Sequence, residues 1–394
     1  MTHPFASTSR GQRESLLALC NEFRDDQAAQ KINLMIGMYK QGDGKPYVLP
    51  SVKKAKENIF ADPSWHHEYR ESFIGNKSFR EASDRLFFGD KSPVARNKRV
   101  ATMQTLGGTG ACHSAATLLR HHYAPWKFTS PHVFIPQESW TNHAFVFTSL
   151  QIRVSFIPYY DPVTGGLDIG AFKAAILNLP PKSVVILQTG AQNPTGCDPS
   201  PGQWQHLASV LNELGHLALF DAAYPGFASG DFDEDLYSLR LFVDSEIPVM
   251  LAATYGKCFD LYSERVGTLS VVAPDQDIRQ RLEIQMRLLA RAETGHMPDF
   301  GSTIVETILN DHNLDLQWRQ EVREMARELQ SRRWQLKAKL EALGTPGNWS
   351  YITNHKGIYL GLSLRQIHHL RGQHHVYLQL SGRLSIAYEP PPSF

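Results

Sequence analysis

Residues 247–272 read IPVMLAATYGKCFDLYSERVGTLSVV. Two apolar runs, IPVMLAAT and VGTLSVV, flank a short polar crossing that carries Thr254, Lys257 and Arg265. Runs of this length, rich in branched and small side chains and bounded by turn residues, read as buried strands. A lysine delivered between two such strands is either a surface residue that snorkels along its aliphatic stem or a chemical group. The rest of the chain decides between them.

Working outward, short apolar runs alternate with helical stretches from about residue 100 to 275. RVATMQT, HVFIPQ, RVSFIPYY, SVVILQTG, LALFDAAY, VMLAATY and GTLSVVA read as strands, and this alternation is the pattern of a mainly parallel sheet with helical crossovers. After residue 310 the segment LDLQWRQEVREMARELQSRRWQLKAKLEALG has apolar residues at helical spacing, interleaved charges and a terminal glycine, which predicts one long amphipathic helix. Shorter strands are expected in WSYIT, GIYLGLS and RLSIAYE. The expected plan is a large α/β domain over 47–309, an N-terminal arm over 1–13, and a smaller domain made from both chain ends, 14–46 and 310–394.

Composition narrows the function classes. The chain has 394 residues, 42% hydrophobic and 20% charged, enough for a substantial core and more than one domain. A net charge of +1 gives no electrostatic footprint for nucleic acid or for a membrane surface. The start, MTHPFASTSRGQRESLLALC, lacks the apolar core of a secretory signal, and no run approaches the roughly 20 apolar residues that span a bilayer. A cytoplasmic location is the expectation. Cys20, Cys112, Cys197 and Cys258 have neither paired nor CxxC spacing, so disulfides and a structural zinc are not expected.

Ligands of open α/β sheets bind beyond the carboxyl ends of the strands, so the strand ends carry the functional argument. RVATMQT runs into LGGTGACHSAATLLRHHY, a glycine-rich turn that opens a helix. Backbone amides at such a start attract phosphate, and Thr109 adds a hydroxyl; a plain tight turn would look the same. SVVILQTGAQNPTG ends a strand in Asn193-Pro194-Thr195-Gly196, and LALFDAAYPGFA ends another in Asp221 followed by Tyr224. Each alone reads as turn or cap chemistry. Together, an anion cradle, a strand-end carboxylate and a strand-end lysine are what pyridoxal 5'-phosphate requires: a phosphate site, a partner for the pyridinium nitrogen and an amine for the Schiff base.

These motifs carry a resemblance. From INLMIGMYKQGDGKPYVLPSVKKAK through GGTGA, SWTNHAFVF, QNPTGCDPSPGQWQHLA, LFDAAYPGFASG and KCFDLYSERVGTLSVV to SGRLSI, the chain resembles the aspartate aminotransferases, of the fold type I group that also holds aromatic aminotransferases. The resemblance implies a pyridoxal-phosphate enzyme that moves an amino group between an amino acid and a 2-oxo acid. It makes Lys257 the residue that holds the cofactor covalently and then shuttles the substrate Cα proton. Asp221 would keep the pyridine nitrogen protonated, His143 would support Asp221, Trp140 would stack on the ring, and Tyr224 and Asn193 would bond its phenolic oxygen. Gly108, Thr109, Thr254 and Arg265 match phosphate positions.

Substrate groups follow the same resemblance. Arg383 falls where the family binds the α-carboxylate, a planar anion suited to a guanidinium fork, with Gly37 permitting close backbone approach beside it. Arg291 aligns with the arginine that reaches across a homodimer interface to the distal carboxylate of aspartate or glutamate, and Tyr69 with a cross-subunit tyrosine on the phosphate. Gly256 stands where the family usually has a phosphate-binding serine, and Gly295 and His296 replace a common Ser-Asn pair. After Arg383 only LSIAYEPPPSF follows, shorter than the family's usual closing segment, so a less stable small domain or an altered closure over the substrate is expected. The cluster RQIHHLRGQHHVY offers His368, His369, His374 and His375 without a carboxylate or cysteine at ligand spacing, so a polar surface helix is preferred over a metal site. Diverted chemistry on the same cofactor (elimination, decarboxylation, cyclisation), an aromatic substrate preference, and a non-catalytic binding role remain the alternatives.

Overall fold

All seven apolar runs between residues 100 and 273 become strands of one sheet: β1 Val100–Leu106, β2 His132–Pro136, β3 Arg153–Ile157, β4 Val184–Gln188, β5 Leu217–Ala222, β6 Val249–Thr254 and β7 Val266–Val272. Their order is β1-β7-β6-β5-β4-β2-β3. Only β7 runs antiparallel to its neighbours, inserted between β1 and β6. This computed structural model describes residues 3–8, 15–35, 37–40, 45–357, 359, 362–380, 382, 384 and 385. They divide into two units, Pro46–Ile358 and Met1–Lys45 with Tyr359–Phe394.

The central strands are apolar along their length because both sheet faces are covered. On one face the helix Gly107–His122 lies against β1, β6 and β7, its small buried Ala111, Ala115 and Ala116 allowing close approach. Leu217 and Leu219 of β5 point into that layer, and by strand alternation so does Asp221. Phe220 faces the opposite way, into an aromatic group with Trp204 and Phe242 at centroid distances of 6.1 and 5.1 Å. Trp204 comes from the helix Pro201–Glu213, which begins with a capping box at Ser200 and Gln203.

The long helix forms over His312–Ala342, its start capped by the Asp311 carboxylate. The sequence suggested a domain boundary near 310, but the division falls after Ile358. The reason is visible in the helix's buried face. Trp318 stacks on Phe259 at 4.2 Å and its indole donates to the Cys258 carbonyl at 2.9 Å, while Glu321 accepts from both the amide and the hydroxyl of Ser51. WSYIT is not a strand: Tyr351–Asn354 is a helical turn. The Asn348 side chain accepts from the Ser350 amide and starts that turn, a local bond that overrides the strand-favouring composition. In GIYLGLS only Gly357, Tyr359, Leu362 and Ser363 are described, with a lone bridge at Tyr359; in RLSIAYE only Leu384 and Ser385 are described, and neither is in a strand.

In the smaller unit Ile32–Asn33 pairs in parallel with Val376–Tyr377, over a core of Leu19, Met35 and Tyr377. The histidine-rich segment is a helix, Leu364–His374, closed by His375 in the left-handed region. His368 bonds Arg371, and the rings of His369 and His374 meet at 5.4 Å. Asp26 joins the two chain ends, accepting from the Ala28 amide, His375 Nδ1 (2.7 Å) and the Tyr377 hydroxyl (2.8 Å). These donors pull the Asp26 carboxyl down to about 2, and burial followed by the hydrogen bond to Asp26 pushes Tyr377 up to about 12. A carboxyl depressed on folding contributes stability above its unfolded value, roughly 3.9, and loses it as pH falls toward the folded one. Protection factors for hydrogen exchange at residues 26–28 and 375–377 are therefore expected to fall between about pH 4 and pH 2, and Asp26→Asn to show that loss already at neutral pH.

Candidate active site

The site is built where β1 and β6 end and the antiparallel β7 begins. Gly107, at φ +68°, turns β1 into its helix, and a Cβ there would lie 2.7 Å from Arg265 Nη2. Gly108 is fitted less tightly, its would-be Cβ 3.3 Å from Thr254 Cβ. Arg265 itself sits at φ +54°, a conformation costly for a long side chain and worth its strain only where the surroundings need it. That bend aims the guanidinium at the helix start, with Nη1 donating to the Tyr262 carbonyl at 3.0 Å. Glycine amides, the Thr109 and Thr254 hydroxyls and a guanidinium therefore converge on one helix N-terminus, a ready anion cradle.

Asp221 closes the deep end. Its carboxylate accepts from His143 Nε2 at 3.0 Å, with side-chain exposures of 7% and 0%, and His143 Nδ1 is in turn held by the Ser139 hydroxyl at 2.9 Å. Trp140 meets the His143 ring at right angles, centroids 5.3 Å apart. The Cys112 sulfur lies within 4.8 Å of the His143 and Asp221 ligand atoms; burial, and secondarily the Asp221 charge, raises its pKa well above that of a free thiol. A neutral thiol beside the carboxylate avoids stacking two buried anions.

Lys257 lies three residues beyond β6, its ammonium 5.9 Å from the Tyr224 ring centroid and 4.9 Å from that of Tyr262. The loop below it is anchored by Trp318 on Phe259 and Cys258. Three residues on, Asp260 adopts φ +53°, and burial lifts its carboxyl to about 7 against the opposing charge of Lys56.

Asn193 is placed by its backbone. Gln188, paired in register with Asp221, accepts from the Asn193 amide at 2.8 Å and donates to its carbonyl at 3.2 Å, and Asp198 caps the Ala191 and Gln192 amides. The Asn193–Pro194 bond is cis. Gly196 packs so tightly on Gly357 that a Cβ would fall 1.8 Å from its nitrogen.

The structure thus brings Gly108, Thr109, Trp140, Asn193, Asp221, Tyr224, Thr254, Lys257 and Arg265 to the strand ends. Tyr69 and Arg291 lie elsewhere on the large unit, connected through a chain of rings: Tyr69 on His296, His296 on Phe73, and the Arg291 guanidinium over Phe73. A groove of about 720 Å³ runs from Thr109 and Arg265 to Glu293 and Thr294 beyond Arg291. Gly37 belongs to the smaller unit, and Arg383 lies outside the described residues. Sequence reasoning missed Gly107, Ser139, Gln188 and Cys112. The glycine was legible as part of LGGTG; the others act through contacts made only on folding.

A helix-start anion cradle, a buried carboxylate and a lysine at neighbouring strand ends suit a phosphorylated pyridine aldehyde, and the fold and these groups together define a pyridoxal-phosphate-dependent transferase. The chain belongs to the aminotransferase class I and II family, whose model matches residues 29–391. It is 37% identical over 385 residues to the cytoplasmic aspartate aminotransferase of Gallus gallus, covering 97% of this chain and 93% of that one. Among solved structures, aspartate aminotransferase from Saccharomyces cerevisiae cytoplasm superposes with a TM-score of 0.94 at 33% identity, over 99% of this chain and 95% of that one. An aromatic-amino-acid aminotransferase from Burkholderia pseudomallei, described as covalently bound to pyridoxal phosphate, gives 0.93 at 30%, over 99% and 96%. The protein is an aminotransferase acting on amino and 2-oxo acids.

The cradle makes a direct prediction. Gly107→Ala should displace the Arg265 guanidinium and raise the dissociation constant for pyridoxal phosphate by about tenfold, since losing one charge-assisted hydrogen bond costs roughly 1.5 kcal/mol or more. Fluorescence titration of the cofactor-free protein measures this, and an unchanged affinity would disprove the contact's role.

Proposed function

We propose that this enzyme exchanges the amino group of aspartate or glutamate with a 2-oxo acid, and that Lys257 is its catalytic amine. The observation that carries the reading is the joining of the Lys257 loop to the Arg265–Gly107 cradle through adjacent strands β6 and β7. When bound, pyridoxal 5'-phosphate supplies a carbonyl carbon that exchanges amines and a ring that withdraws electrons. Gly108, Thr109, Thr254 and Arg265 hold its phosphate. Asp221, oriented by His143 and through it by Ser139, presents a carboxylate to the ring nitrogen. Asn193 and Tyr224 bind the ring oxygen, and Trp140 covers the ring. Lys257 Nζ removes the proton from the substrate Cα, acting as a general base at the end of a strand.

For the substrate, the reading assigns the α-carboxylate to Arg383 with Gly37, and the distal carboxylate to Arg291. Arg291 and Tyr69 serve the site of a second copy in a two-fold homodimer. Exposed Leu106, Phe145, Ile284 and Leu288 on the same unit are surface that such a partner would cover. The relatives at 37% and 36% identity are both named cytoplasmic, and the same location is inferred for this chain.

Borohydride reduction of the holoenzyme followed by peptide mapping should find the pyridoxyl group on Lys257; label on another lysine would refute that assignment. Arg291→Ala should lower kcat/KM for aspartate by at least about 100-fold more than for phenylalanine, because only the former loses a charged partner. Equal losses would remove Arg291 from the substrate site. Sedimentation of the active enzyme should give a dimer; a fully active monomer would contradict the shared site.

A further inference from the structure

His296 lies outside the catalytic reading above, yet its ring is held on two sides. It stacks on Tyr69 with centroids 4.5 Å apart at 26°, and it meets Phe73 edge-on at 4.6 Å. Phe73 in turn carries the Arg291 guanidinium 4.8 Å from its ring centroid. The four side chains form one continuous train from Tyr69 to Arg291. The same two segments are also tied by their neighbours: Arg70 pairs with Asp299 at 2.7 Å, Asn76 donates to Asp299 at 3.0 Å, and buried Gln104 donates to the Pro298 carbonyl at 2.6 Å. Immediately before His296, Gly295 adopts φ +74° with no atom within 4 Å of a would-be Cβ. Packing around Gly295 therefore does not fix the segment at that point; the His296 ring contacts and the bonds to Pro298 and Asp299 do.

We propose that His296 is a positioning residue that locks Tyr69 and Arg291 at a fixed spacing, so that phosphate retention and distal-carboxylate recognition rise or fall together. This rests on the roles given above to Tyr69 and Arg291. Tyr69 is 84% exposed, and an exposed ring on a loop samples several rotamers unless a neighbour selects one. Imidazole on one face selects the rotamer that aims the hydroxyl, and the edge contact to Phe73 passes the constraint to the guanidinium. Pairs of this geometry shift an equilibrium by roughly 2- to 13-fold.

The test uses the holoenzyme with three variants and two readouts, the dissociation constant of pyridoxal phosphate and the KM for aspartate. His296→Ala is expected to raise both by about 3- to 10-fold with kcat within about twofold, and His296→Phe, which keeps a ring, to stay within about twofold of wild type on both. Tyr69→Phe keeps the stack but removes the hydroxyl, so it should weaken cofactor binding alone. The proposal is overturned if His296→Ala moves one readout without the other, if His296→Phe behaves like His296→Ala, or if Tyr69→Phe raises the aspartate KM as well. Should His296→Ala fail to fold, Tyr69→Ala decides: it must raise the aspartate KM although no contact to substrate is assigned to Tyr69. A wild-type protein that binds the cofactor but does not turn over aspartate would overturn the substrate reading, and the clamp would then stand or fall on the cofactor arm, where His296→Ala must weaken binding and His296→Phe must not.

Discussion

Gly267 is the position on which the site's geometry depends. A Cβ there would come within 2.6 Å of the Ala253 carbonyl oxygen and 2.6 Å of the Gly107 carbonyl carbon. Only hydrogen lets the antiparallel β7 thread between β1 and β6 at that depth. Without the insertion, the chain leaving β6 with Lys257 and the chain entering β7 with Arg265 would not meet the helix that begins at Gly107. One residue's missing side chain thus brings the amine and the cradle's guanidinium to the same corner of the sheet.

The electrostatic arrangement follows from that close packing. Asp221 sits in a layer of small and apolar side chains, where an ion without partners would cost several kcal/mol. His143 meets part of that demand, and a carboxylate has about four lone-pair sites, so acceptor capacity remains for a cationic ring nitrogen. A neutral imidazole that donates from Nε2 must accept at Nδ1, and the Ser139 hydroxyl is there to donate. Cys112 adds no charge, because burial holds its thiol protonated. The Asp221 carboxylate is therefore oriented by His143 and, through it, by Ser139 before any ligand arrives.

The sheet was legible because buried strands have no choice of composition: β4, β5 and β6 read as apolar runs and nothing else covers both faces of a parallel sheet. The strand-end positions of Asp221, Lys257 and Asn193 were legible for a related reason, since polar residues mark where buried apolar runs stop. WSYIT misled because four of its five residues are aromatic or β-branched and suggest a strand, whereas one carboxamide, Asn348, set a turn. The boundary near 310 misled because periodicity reports which face of a helix is buried but not against what; Trp318 had to be seen on Phe259 to assign that helix to the larger unit. Ser139 and Gln188 were illegible for the same reason, acting on His143 and Asn193 only through folded contacts.

The strand-end cluster and the Arg291 segment are held by different physics. The cofactor end is fixed by sheet register and buried backbone, so most substitutions there would strand a buried polar group or force a Cβ into the main chain. Gly256 is the exception: its nearest neighbour lies 3.4 Å from a would-be Cβ at Thr254 Oγ1, so a serine would fit and packing does not demand the glycine. Its amide donates to that same Thr254 hydroxyl at 3.2 Å, which fixes the oxygen without a second side chain. The Arg291 end is built instead from a helix terminus and a loop in contact with solvent, where Gly295 has open space around it. At Gly295 a Cβ would meet no atom within 4 Å, whereas the strand ends leave no such room at Gly107 or Gly267.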